Sequence, residues 1–394
     1  MQVITTTSAL SKACKAMAGD AFVTVDTEFM RERTYWAKLC LIQIAGEHVE
    51  AIIDPLAEGI DLAPFFELMA NENVIKVFHA ARQDLEIFQH IDGRLPHPLF
   101  DTQVAAMCCG FGDQIGYEPL ARQLTGAKID KSSRFTDWSR RPLSDKQLDY
   151  ALSDVTHLRG VYEKLAAMLE KSGRAGWLDE EMEILTDPAT YRTEPEDAWK
   201  RIRFRPQKKA QLGVLMEVAA WREREAQKRD VPRGRIIKDD AIGELALQAP
   251  KDVAALSRLR AVPKGFGGSR NGEAVIAAIQ TGLERDPGTI PEIRNHHRRK
   301  PEGVAEISEI LKLALKIICE QEGIAQRLVA NAADIEAIAA GRSKGIKALS
   351  GWRYKLFGEK ALKLRNGDLA IGLRGGKAAI FELERECEKL KAAE

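Results

Sequence analysis

The stretch that decides the fold is VTVDTEFMRERTYWAKLCLIQIA, residues 23–45. Its two ends are rich in β-branched and aromatic side chains, which predicts strands at 21–29 and 39–45. A third strand is predicted at 48–54, after a two-residue Gly-Glu turn that is short enough to reverse the chain. Strands joined by such short connections pair with one another, so we expect three antiparallel neighbours in one sheet.

Downstream of these strands the sequence alternates helix and strand signals. The expected elements are helices at 62–70 and 81–90 and strands at 74–78 and 98–101. A long helix is predicted to begin after Ser144, which has Gln147 at the reciprocal capping-box position, and to continue to about Lys171. The pattern predicts a mixed sheet with helices packed on it, an α/β layer architecture.

The composition is that of a folded protein with more than one domain. A chain of 394 residues exceeds a single ordinary core and suggests roughly two to four domains. Hydrophobic residues make up 45% and charged residues 30%, which excludes a disordered chain. No apolar run approaches the roughly 18–20 residues that span a bilayer. The first residues also lack the basic and apolar segments of a secretion signal, so we expect neither a membrane span nor secretion.

The cysteine pattern indicates a compartment, whereas the net charge does not indicate a partner. All six cysteines lack the spacing of disulfide frameworks or zinc sites, and two of them are adjacent: Cys14, Cys40, Cys108, Cys109, Cys319 and Cys387. We therefore expect free thiols in the cytoplasm. A net charge of +1 gives no support for a nucleic-acid partner, so that argument depends on where the charges lie.

The sequence changes character after about residue 170, where the strand signals stop. A proline-containing connection follows, and from residue 207 the pattern is that of charged helices interrupted by Pro and Gly. A shift of 93 residues aligns DDAIGELALQAPKDVAALSRL (239–259) with AADIEAIAAGRSKGIKALSGW (332–352), with six identical positions. This is more than similar helical composition would produce by chance, so we infer two copies of a small helical domain.

Four carboxylates and one tyrosine in the α/β part carry the candidate chemistry. Asp26 and Glu28 lie two apart in a strand, so their side chains leave the same face of the sheet. Asp84 opens the helix after a buried strand, at the end where α/β folds collect ligands. Tyr150 and Asp154 are four apart on the long helix and share one of its faces. Strand and helices can thus deliver these acids toward one centre.

If these carboxylates meet, they need cations. Each like-charge pair at about 4 Å costs about 4 kcal/mol at an effective dielectric near 20. An oxygen-only ligand set favours Mg²⁺ or Mn²⁺ over zinc. Two such ions roughly 4 Å apart can hold the attacking water and the leaving 3′ oxygen of a phosphodiester. Taken singly, the same residues have ordinary explanations: an edge-strand pair, a surface helix acid, and a half-buried ring beside a solvated charge.

Three segments carry a family resemblance. The run 23–45 resembles the first exonuclease motif of the ribonuclease D family, VFHAARQDLEIF (77–88) the second, and YALSDVTHL (150–158) the third, as in the tyrosine-containing branch of the DEDD exonucleases. The stretch DKSSRFTDWSRRPLSDKQLDYALSDV (130–155) is similar to this family almost without interruption. The two C-terminal copies resemble paired helicase-and-RNase-D C-terminal (HRDC) domains, an arrangement typical of bacterial members.

The resemblance implies an α/β ribonuclease H-like exonuclease domain followed by two all-α HRDC-type domains. The expected boundaries are an exonuclease domain at 1–172, a linker at 173–206, a first HRDC domain at 207–286, a linker at 287–301 and a second HRDC-like domain at 302–394.

The resemblance also implies roles for the residues of the candidate site. The four acids would be the ligands of two divalent metal ions, Mg²⁺ or Mn²⁺: Asp26, Glu28, Asp84 and Asp154. Tyr150 would orient the attacking water or help to deprotonate it through its hydroxyl, since a free phenolate is rare at neutral pH.

Further residues around the motifs are candidates for substrate contact. The candidates for contact with the terminal nucleotides are Phe29, Met30, His79 and Gln83. The first two could stack on bases or belong to the core, and a histidine after an apolar strand could instead be a satisfied structural group. Trp138 and Arg141 could be structural or could face RNA, and the sequence leaves both alternatives open.

Basic runs with interleaved aromatic residues are candidate RNA surfaces outside this site. The run WKRIRFRPQKK (199–209) and the run KRDVPRGRIIK (228–238) favour phosphate contact and base stacking, and further cations occupy 294–300. The alternative is solvated helix faces that nearby acids neutralise, which the net charge of +1 permits.

The resulting hypothesis is a 3′→5′ exoribonuclease that releases nucleoside 5′-monophosphates, acts as a monomer, and matures tRNA precursors at a free 3′ end. The competing hypotheses are a DNA 3′-5′ exonuclease, which would use the same metal chemistry, and an RNA-binding protein with an inactive catalytic domain. A zinc hydrolase, an ATPase and a serine hydrolase are disfavoured, because the sequence lacks a His-Glu-x-x-His motif, a phosphate-binding glycine loop and a nucleophile elbow.

Overall fold

The computed structural model describes residues 2–130, 136–293 and 302–383. None of the helices in these ranges combines the length and the apolarity required to cross a membrane.

A six-stranded mixed sheet organises the first third of the chain. Its strands are β1 (Gln2–Ile4), β2 (Phe22–Met30), β3 (Lys38–Ala45), β4 (Glu50–Ile53), β5 (Ile75–Phe78) and β6 (Leu99–Asp101), in the order β1-β4-β3-β2-β5-β6. The β2–β3 and β3–β4 pairs are antiparallel, whereas β1–β4, β2–β5 and β5–β6 are parallel. The predictions of three antiparallel neighbours and of a mixed sheet are therefore confirmed, whereas β1 is not anticipated from the sequence.

Among the described residues up to Thr186, seven helices pack on this sheet or follow from it. They are α1 (Thr7–Met17), α2 (Ala63–Met69), α3 (Arg82–Ile91), α4 (Thr102–Cys108), α5 (Tyr117–Thr125), α6 (Asp145–Ser172) and α7 (Ala175–Thr186). The predicted capping box at the start of α6 is confirmed, because the Ser144 hydroxyl accepts from the Gln147 backbone while the Gln147 side chain accepts from the Ser144 backbone. The helix ends at Gly173, whose φ of 67° is a left-handed conformation that glycine adopts without strain.

The next helices form a separate unit around the long helix α8. The unit contains α8 (Lys209–Arg229), α9 (Arg233–Ile236), α10 (Asp239–Gln248), α11 (Val253–Ser257) and α12 (Arg270–Glu284). Helices α8 and α12 cross at two glycines: a methyl group at Gly213 would lie 2.4 Å from the carbonyl oxygen of Gly282. Glycine at this crossing therefore allows the two backbones to approach closely.

The last described segment repeats that helix order. It contains α13 (Val304–Glu322), α14 (Gln326–Val329), α15 (Ala332–Ala339), α16 (Gly351–Arg353) and α17 (Glu359–Asn366). Helix α14 begins and ends 93 residues after α9, and α15 begins 93 residues after α10. The sequence repeat therefore coincides with a repeat of local structure.

The prediction of an all-α C-terminal segment is wrong for residues 369–382. These residues form an antiparallel hairpin of β7 (Leu369–Arg374) and β8 (Lys377–Glu382). Gly375 and Gly376 join the strands with φ values of 58° and 76°, the positive values that a tight two-residue hairpin turn requires. The second helical unit thus ends in a small sheet, where the first ends in α12.

The described residues form three hydrophobic core clusters, and the two larger ones divide the chain in an order that differs from the sequence. One core contains buried side chains of the sheet, of α1 to α7 and of the segment 304–369. The second contains the α8 to α12 unit and Tyr35 from the α/β part. Across the first core, the Ala325 backbone donates a hydrogen bond to the Met107 carbonyl at 2.9 Å, and the Trp177 and Trp352 rings stack 4.3 Å apart. The C-terminal segment therefore packs directly on the α/β part.

Candidate active site

Strand β2 presents the first two carboxylates. Asp26 and Glu28 are half-buried on one face of the strand, while Val25 and Thr27 between and beside them are buried on the other face. The alternation follows from the period-2 geometry of a strand. A register shift between Glu28 and Phe29 ends the regular pairing with β3 immediately after the second acid.

Helix α6 brings the remaining acid and the tyrosine to this strand. It packs across β2, β3 and β4, and the Thr24 hydroxyl donates to the Val155 carbonyl of the helix at 2.8 Å. This contact lies next to Asp154, which is 9% exposed. Tyr150 lies one turn earlier on the same face and donates a hydrogen bond to Asp154.

Asp84 completes the cluster from the first turn of α3. The turn before the helix is held by Asp101, whose carboxylate accepts from the backbone amides of Ala80 at 3.0 Å and Ala81 at 2.9 Å. Ala80 adopts a left-handed φ of 61°, an uncommon conformation for a residue with a side chain. Asp84 itself is 6% exposed and accepts a hydrogen bond from the Thr27 hydroxyl of β2.

The electrostatics show that three of these carboxylates lie within reach of one another. Burial, and after it the charge of Asp154, raises the pKa of Asp26 well above its usual value. Burial, and after it the charge of Asp26, likewise raises the pKa of Asp84, which the Thr27 hydroxyl lowers only in part. Both shifts have the cause expected where like charges share a low-dielectric site.

The neighbouring carboxylates also shift the pKa of the Tyr150 hydroxyl. Burial raises its pKa, and the charges of Asp154, Glu28 and Asp26 raise it further. Tyr150 therefore stays protonated at neutral and alkaline pH, and its hydroxyl acts as a hydrogen-bonding group rather than as a phenolate.

Asp26, Tyr150 and Asp154 line a cavity of about 320 Å³, whereas Glu28 and Asp84 are not among its lining residues. Its walls come from β2, from the turn before α3, from α4, from the start of α5 and from α6: Asp26, His79, Ala80, Gln103, Gly116, Tyr117, Glu118, Ile129, Tyr150, Asp154 and Leu158. The cavity therefore lies where the three sequence motifs converge.

The donor set fits divalent cations that prefer oxygen ligands. Carboxylates and a hydroxyl supply only oxygen, and a cation would offset the repulsion that raises the two pKa values. In the part of the chain that the structure describes, no three His, Cys, Asp or Glu side chains are gathered into a ready-made metal cage. Mg²⁺ does not require such a cage, because it retains several waters and binds through one or two carboxylates together with substrate phosphate.

His79 and Gln83, both predicted to contact the terminal nucleotide, have different surroundings. His79 lines the cavity, but its Nδ1 lies 3.0 Å from the Thr102 hydroxyl and its Nε2 lies 3.1 Å from the Ile115 carbonyl. Both ring nitrogens thus hold neighbouring segments in place. Gln83 is exposed on the first turn of α3 and is not among the residues that line this cavity.

Phe29 and Met30 line a second cavity together with Glu28. This cavity measures about 580 Å³ and extends from the end of β2 to the segment 136–139. Arg33 and Lys38 contribute exposed cations to its wall. Acids line the same cavity, among them Glu32 and Asp137, and the two apolar side chains are partly buried between this opening and the hydrophobic core.

The structure gives Trp138 and Arg141 packing partners within the protein. Trp138 is 2% exposed and its ring lies 6.2 Å from that of Tyr150, at an angle of 25°. Arg141 forms two hydrogen bonds of 2.7 Å to the carboxylate of Asp54 and another of 2.7 Å to the Cys40 carbonyl. The sequence left open whether these two residues are structural or face RNA, and these contacts agree with a structural role.

Three residues of the site were not singled out by sequence reasoning. Tyr117 and Gln103 line the cavity, and Asp101 holds the turn before α3. Burial, followed by the charges of Asp154 and Asp26, raises the pKa of Tyr117. The only available signal was the position of Asp101 at a strand end before Thr102, because nothing in the spacing of Tyr117 places it near the acids.

Family models divide the chain into two matched regions. A model described as a 3′-5′ exonuclease matches residues 1–170, and a model described as an HRDC domain matches residues 211–279. The first region contains all four acids and Tyr150, and the second lies within the α8 to α12 unit.

Individual relatives match over nearly the whole length. Ribonuclease D of Nitrobacter hamburgensis is 50% identical over 382 residues, which are 97% of this chain and 100% of that protein. Ribonuclease D of Granulibacter bethesdensis is 47% identical and covers 96% of each chain. The crystal structure of Escherichia coli RNase D, an exoribonuclease involved in structured RNA processing, matches with a TM-score of 0.82 and 29% identity over 93% of this chain and 98% of that chain. The chain is therefore an enzyme of the ribonuclease D family, a family of 3′-5′ exoribonucleases that work with divalent metal ions.

Proposed function

We propose that the four carboxylates and Tyr150 hydrolyse the 3′-terminal phosphodiester bond of RNA with two divalent ions, Mg²⁺ or Mn²⁺, and release nucleoside 5′-monophosphates. The observation that carries the proposal is that Asp26, Tyr150 and Asp154 line one cavity, while Asp84 accepts a hydrogen bond from Thr27 of the same strand and lies close enough to Asp26 for that charge to raise its pKa. Ions held by Asp26, Glu28, Asp84 and Asp154 would supply Lewis-acid stabilisation of the charge on the attacking and leaving oxygens.

Tyr150 orients the attacking water in this proposal. Its hydroxyl donates to Asp154, which leaves its oxygen lone pairs to accept a hydrogen bond from a water. Because burial and the neighbouring acids keep its pKa high, the hydroxyl retains its proton throughout the working pH range. Trp138 packs beside the ring and limits its movement.

The substrate in this proposal is structured RNA with a free 3′ end, such as a tRNA precursor. Phe29 and Met30 would stack on or wedge against terminal bases at the second cavity, where Arg33 and Lys38 can contact phosphates. His79 would act through the segments that it holds, while Gln83 would meet RNA only outside the main cavity.

The basic run at 199–209 remains the best candidate for RNA contact away from the cavity. Among the described residues, Arg203, Arg205 and Lys208 are exposed and have no carboxylate partner. In the second run, Arg233 is held by Glu223 and Tyr35, so it is not available for a phosphate. The run at 294–300 lies outside the described residues.

The domain limits 1–172, 207–286 and 302–394 are part of the same proposal, with two HRDC-type domains. The repeat of helix order at an offset of 93 residues supports a second copy, and the hairpin at its end is a departure from the first. We further propose that the enzyme acts as a monomer. We also propose that it works in a reducing compartment, the cytoplasm, since the five described cysteines are free thiols.

The test is degradation of a 5′-labelled RNA with a free 3′ overhang, in Mg²⁺, in Mn²⁺ and in EDTA. Wild type and Asp149→Asn should produce a metal-dependent ladder that shortens from the 3′ end, and Asp154→Asn should produce none. Asp149 is a matched control, because it is exposed on the same helix.

A matched DNA substrate with a 3′ overhang distinguishes the proposed function from the first competing one. Equal rates on DNA and on RNA would favour a DNA exonuclease. Retained RNA binding without shortening in either metal would instead leave an RNA-binding protein with an inactive catalytic domain.

A further inference from the structure

The loop between β2 and β3, residues 31–37, leaves the catalytic part and enters the α8 to α12 unit. Its Tyr35 is 6% exposed and belongs to the hydrophobic core of that unit, together with Ile202 and Leu212. A side chain of the catalytic domain therefore completes the core of the first helical domain. Tyr35 follows Glu28 by only seven residues, so the loop that makes this contact starts next to the candidate active site.

A buried polar network holds the Tyr35 hydroxyl. The hydroxyl donates to the carboxylate of Glu223, which is 0% exposed, and accepts from Arg233 at 2.9 Å and from Gln227 at 3.1 Å. Arg233 also donates two hydrogen bonds of 2.6 Å to Glu223 and places its guanidinium 4.6 Å from the Tyr35 ring centre. The phenolic oxygen thus has both donor and acceptor partners.

Charge in this network is compensated within the helical domain. Burial alone would raise the pKa of Glu223, but hydrogen bonds from Arg233 and Tyr35 hold it below its usual value. Arg233 thus favours the ionised carboxylate, which has all of its hydrogen-bond donors only while Tyr35 is in place. Such a network fixes one geometry, because any other position of the loop leaves a buried charge short of a hydrogen bond.

The loop backbone is fastened at a second point. The Asp230 carboxylate accepts from the backbone amides of Tyr35 at 3.0 Å and of Trp36 at 2.9 Å. Asp230 ends α8 in a left-handed conformation with φ of 47°, which turns its side chain away from the helix and toward the loop. Tyr35 and Trp36 are thus held through both side chain and main chain.

The same loop is also tied to the helix that carries Asp84. Arg31 forms hydrogen bonds of 2.8 Å and 2.6 Å to the Glu86 carboxylate, and the Trp36 ring stacks 4.0 Å from that of His90. Glu86 follows Asp84 by two residues. The loop therefore connects the strand of Asp26 and Glu28, the helix of Asp84 and the first helical domain.

We propose that the first helical domain is a positioning element of the catalytic site, acting through Tyr35 and Glu223, and not solely a surface for RNA. This inference rests on the proposed exonuclease function. Tyr35, Glu223 and Asp230 are positioning residues: they hold the end of β2 against α3 and so set the spacing of the carboxylates.

The experiment compares full-length Tyr35→Phe, Tyr35→Ala and Glu223→Gln with wild type on a trinucleotide RNA and on a long RNA. A trinucleotide is too short to use distant RNA-binding surfaces, so it reports on the cavity. In Tyr35→Ala and Glu223→Gln we expect kcat on both substrates to fall between about tenfold and a hundredfold, the penalty of a small misplacement of catalytic groups. The matched control is Arg224→Gln, because Arg224 is exposed on α8 next to Glu223 and pairs with the exposed Glu196 of the preceding segment.

Trinucleotide hydrolysis at the wild-type rate, with a higher KM on long RNA alone, would overturn the inference and leave an RNA-binding domain. Should Tyr35→Ala not fold, Tyr35→Phe retains the ring and removes only the hydroxyl. Its double variant with Glu223→Gln should lose little more activity than either single variant, whereas additive losses would count against a shared network.

A readout independent of turnover is the Mg²⁺ concentration that gives half of the maximal increase in melting temperature. This concentration should increase in Tyr35→Ala and Glu223→Gln if the carboxylates are displaced, and an unchanged value in both variants would overturn the inference. Failure of the proposed function has a different signature, because wild type would then cleave neither RNA.

Discussion

The Thr27 hydroxyl donates a hydrogen bond to the Asp84 carboxylate, and this contact joins β2 to α3 within the candidate site. Thr27 points away from the face of Asp26 and Glu28, so it can hold the third acid without entering the cavity. The contact orients one carboxylate oxygen and leaves the other for a cation.

Removing this hydroxyl should weaken metal binding. In Thr27→Val, Asp84 loses the donor that orients it, so we expect the Mg²⁺ concentration for half-maximal rate to rise by about 10- to 100-fold. Thr27→Ser keeps the hydroxyl and should remain close to wild type. The measurement is the rate of RNA shortening as a function of Mg²⁺, and a wild-type curve for Thr27→Val would show that Asp84 needs no such support.

Charge repulsion in the metal-free site should appear in thermal stability. Because the pKa of Asp26 is raised by burial and by Asp154, its protonated form stabilises the fold below the usual carboxyl pKa, and this contribution is lost as pH rises through the raised value. At pH 7 in EDTA, Asp26→Asn should therefore melt at a higher temperature than wild type. The difference should shrink below about pH 4.

Mg²⁺ should reverse that order by stabilising wild type more than Asp26→Asn, since only wild type keeps the full ligand set. Asp149→Asn, on the exposed face of α6, serves as the control and should melt with wild type under all three conditions. A lower melting temperature for Asp26→Asn at pH 7 in EDTA would contradict the repulsion.

Tyr150→Phe should separate chemistry from folding. The ring can keep its place beside Trp138, while the hydroxyl that donates to Asp154 is removed. We expect kcat to fall by about a hundredfold or more, the range for loss of a positioned proton-transfer or orienting group, with little change in melting temperature. Tyr162→Phe, which alters a half-buried ring packed between Phe22 and Phe100, should leave kcat unchanged.

Arg353 should be essential for the packing of the C-terminal segment. It is 0% exposed and donates to the Leu328 carbonyl at 2.8 Å and to the carboxylates of Glu180 and Glu181. Arg353→Met removes the cation beside Glu180, leaves Glu181 only Lys347, and deprives the Leu328 carbonyl of its donor, so the free energy of unfolding should fall by about 3 kcal/mol. Urea unfolding followed by circular dichroism measures this value, and the exposed Arg342→Met should change it by less than about 0.5 kcal/mol.

The unpaired cations of the basic run should contribute to the salt dependence of RNA binding. Arg203→Ala/Arg205→Ala should weaken binding and reduce the slope of log affinity against log salt by about two, one unit for each phosphate that is no longer neutralised. Lys200→Ala is the control, because Lys200 forms a 2.6 Å ion pair with Asp197. Equal slopes for the double variant and the control would assign the RNA surface elsewhere.

Local patterns were sufficient for five of the six strands of the sheet and for the faces on which the acids lie, because both depend on short-range geometry. Alternation places Asp26 and Glu28 on one face, and the capping box fixes where α6 begins and therefore how Asp154 is presented. The hairpin at 369–382 could have been predicted from its Gly375-Gly376 turn between two apolar runs, a strong short-range signal that helical composition around it obscured.

Long-range contacts could not be predicted in this way. The ring nitrogens of His79 are taken by Thr102 and Ile115, which lie 23 and 36 residues away, so sequence alone left the residue available to substrate. Tyr35 and Glu223 are 188 residues apart, and neither shows a local pattern that pairs them. Arg233 likewise resembles a phosphate ligand until its carboxylate partner is known.

The α/β part and the segment 304–369 share one hydrophobic core, and this shared core affects how the protein unfolds. Cooperative unfolding follows shared burial rather than order along the chain, so the beginning and the end of this polypeptide should melt as one thermodynamic unit. The middle of the chain, which has its own core, is tied to that unit chiefly by Tyr35 and its neighbours. Proteolytic loss of the C-terminus would therefore expose the interior of the catalytic domain itself, and a nicked enzyme would aggregate rather than survive as a shorter nuclease.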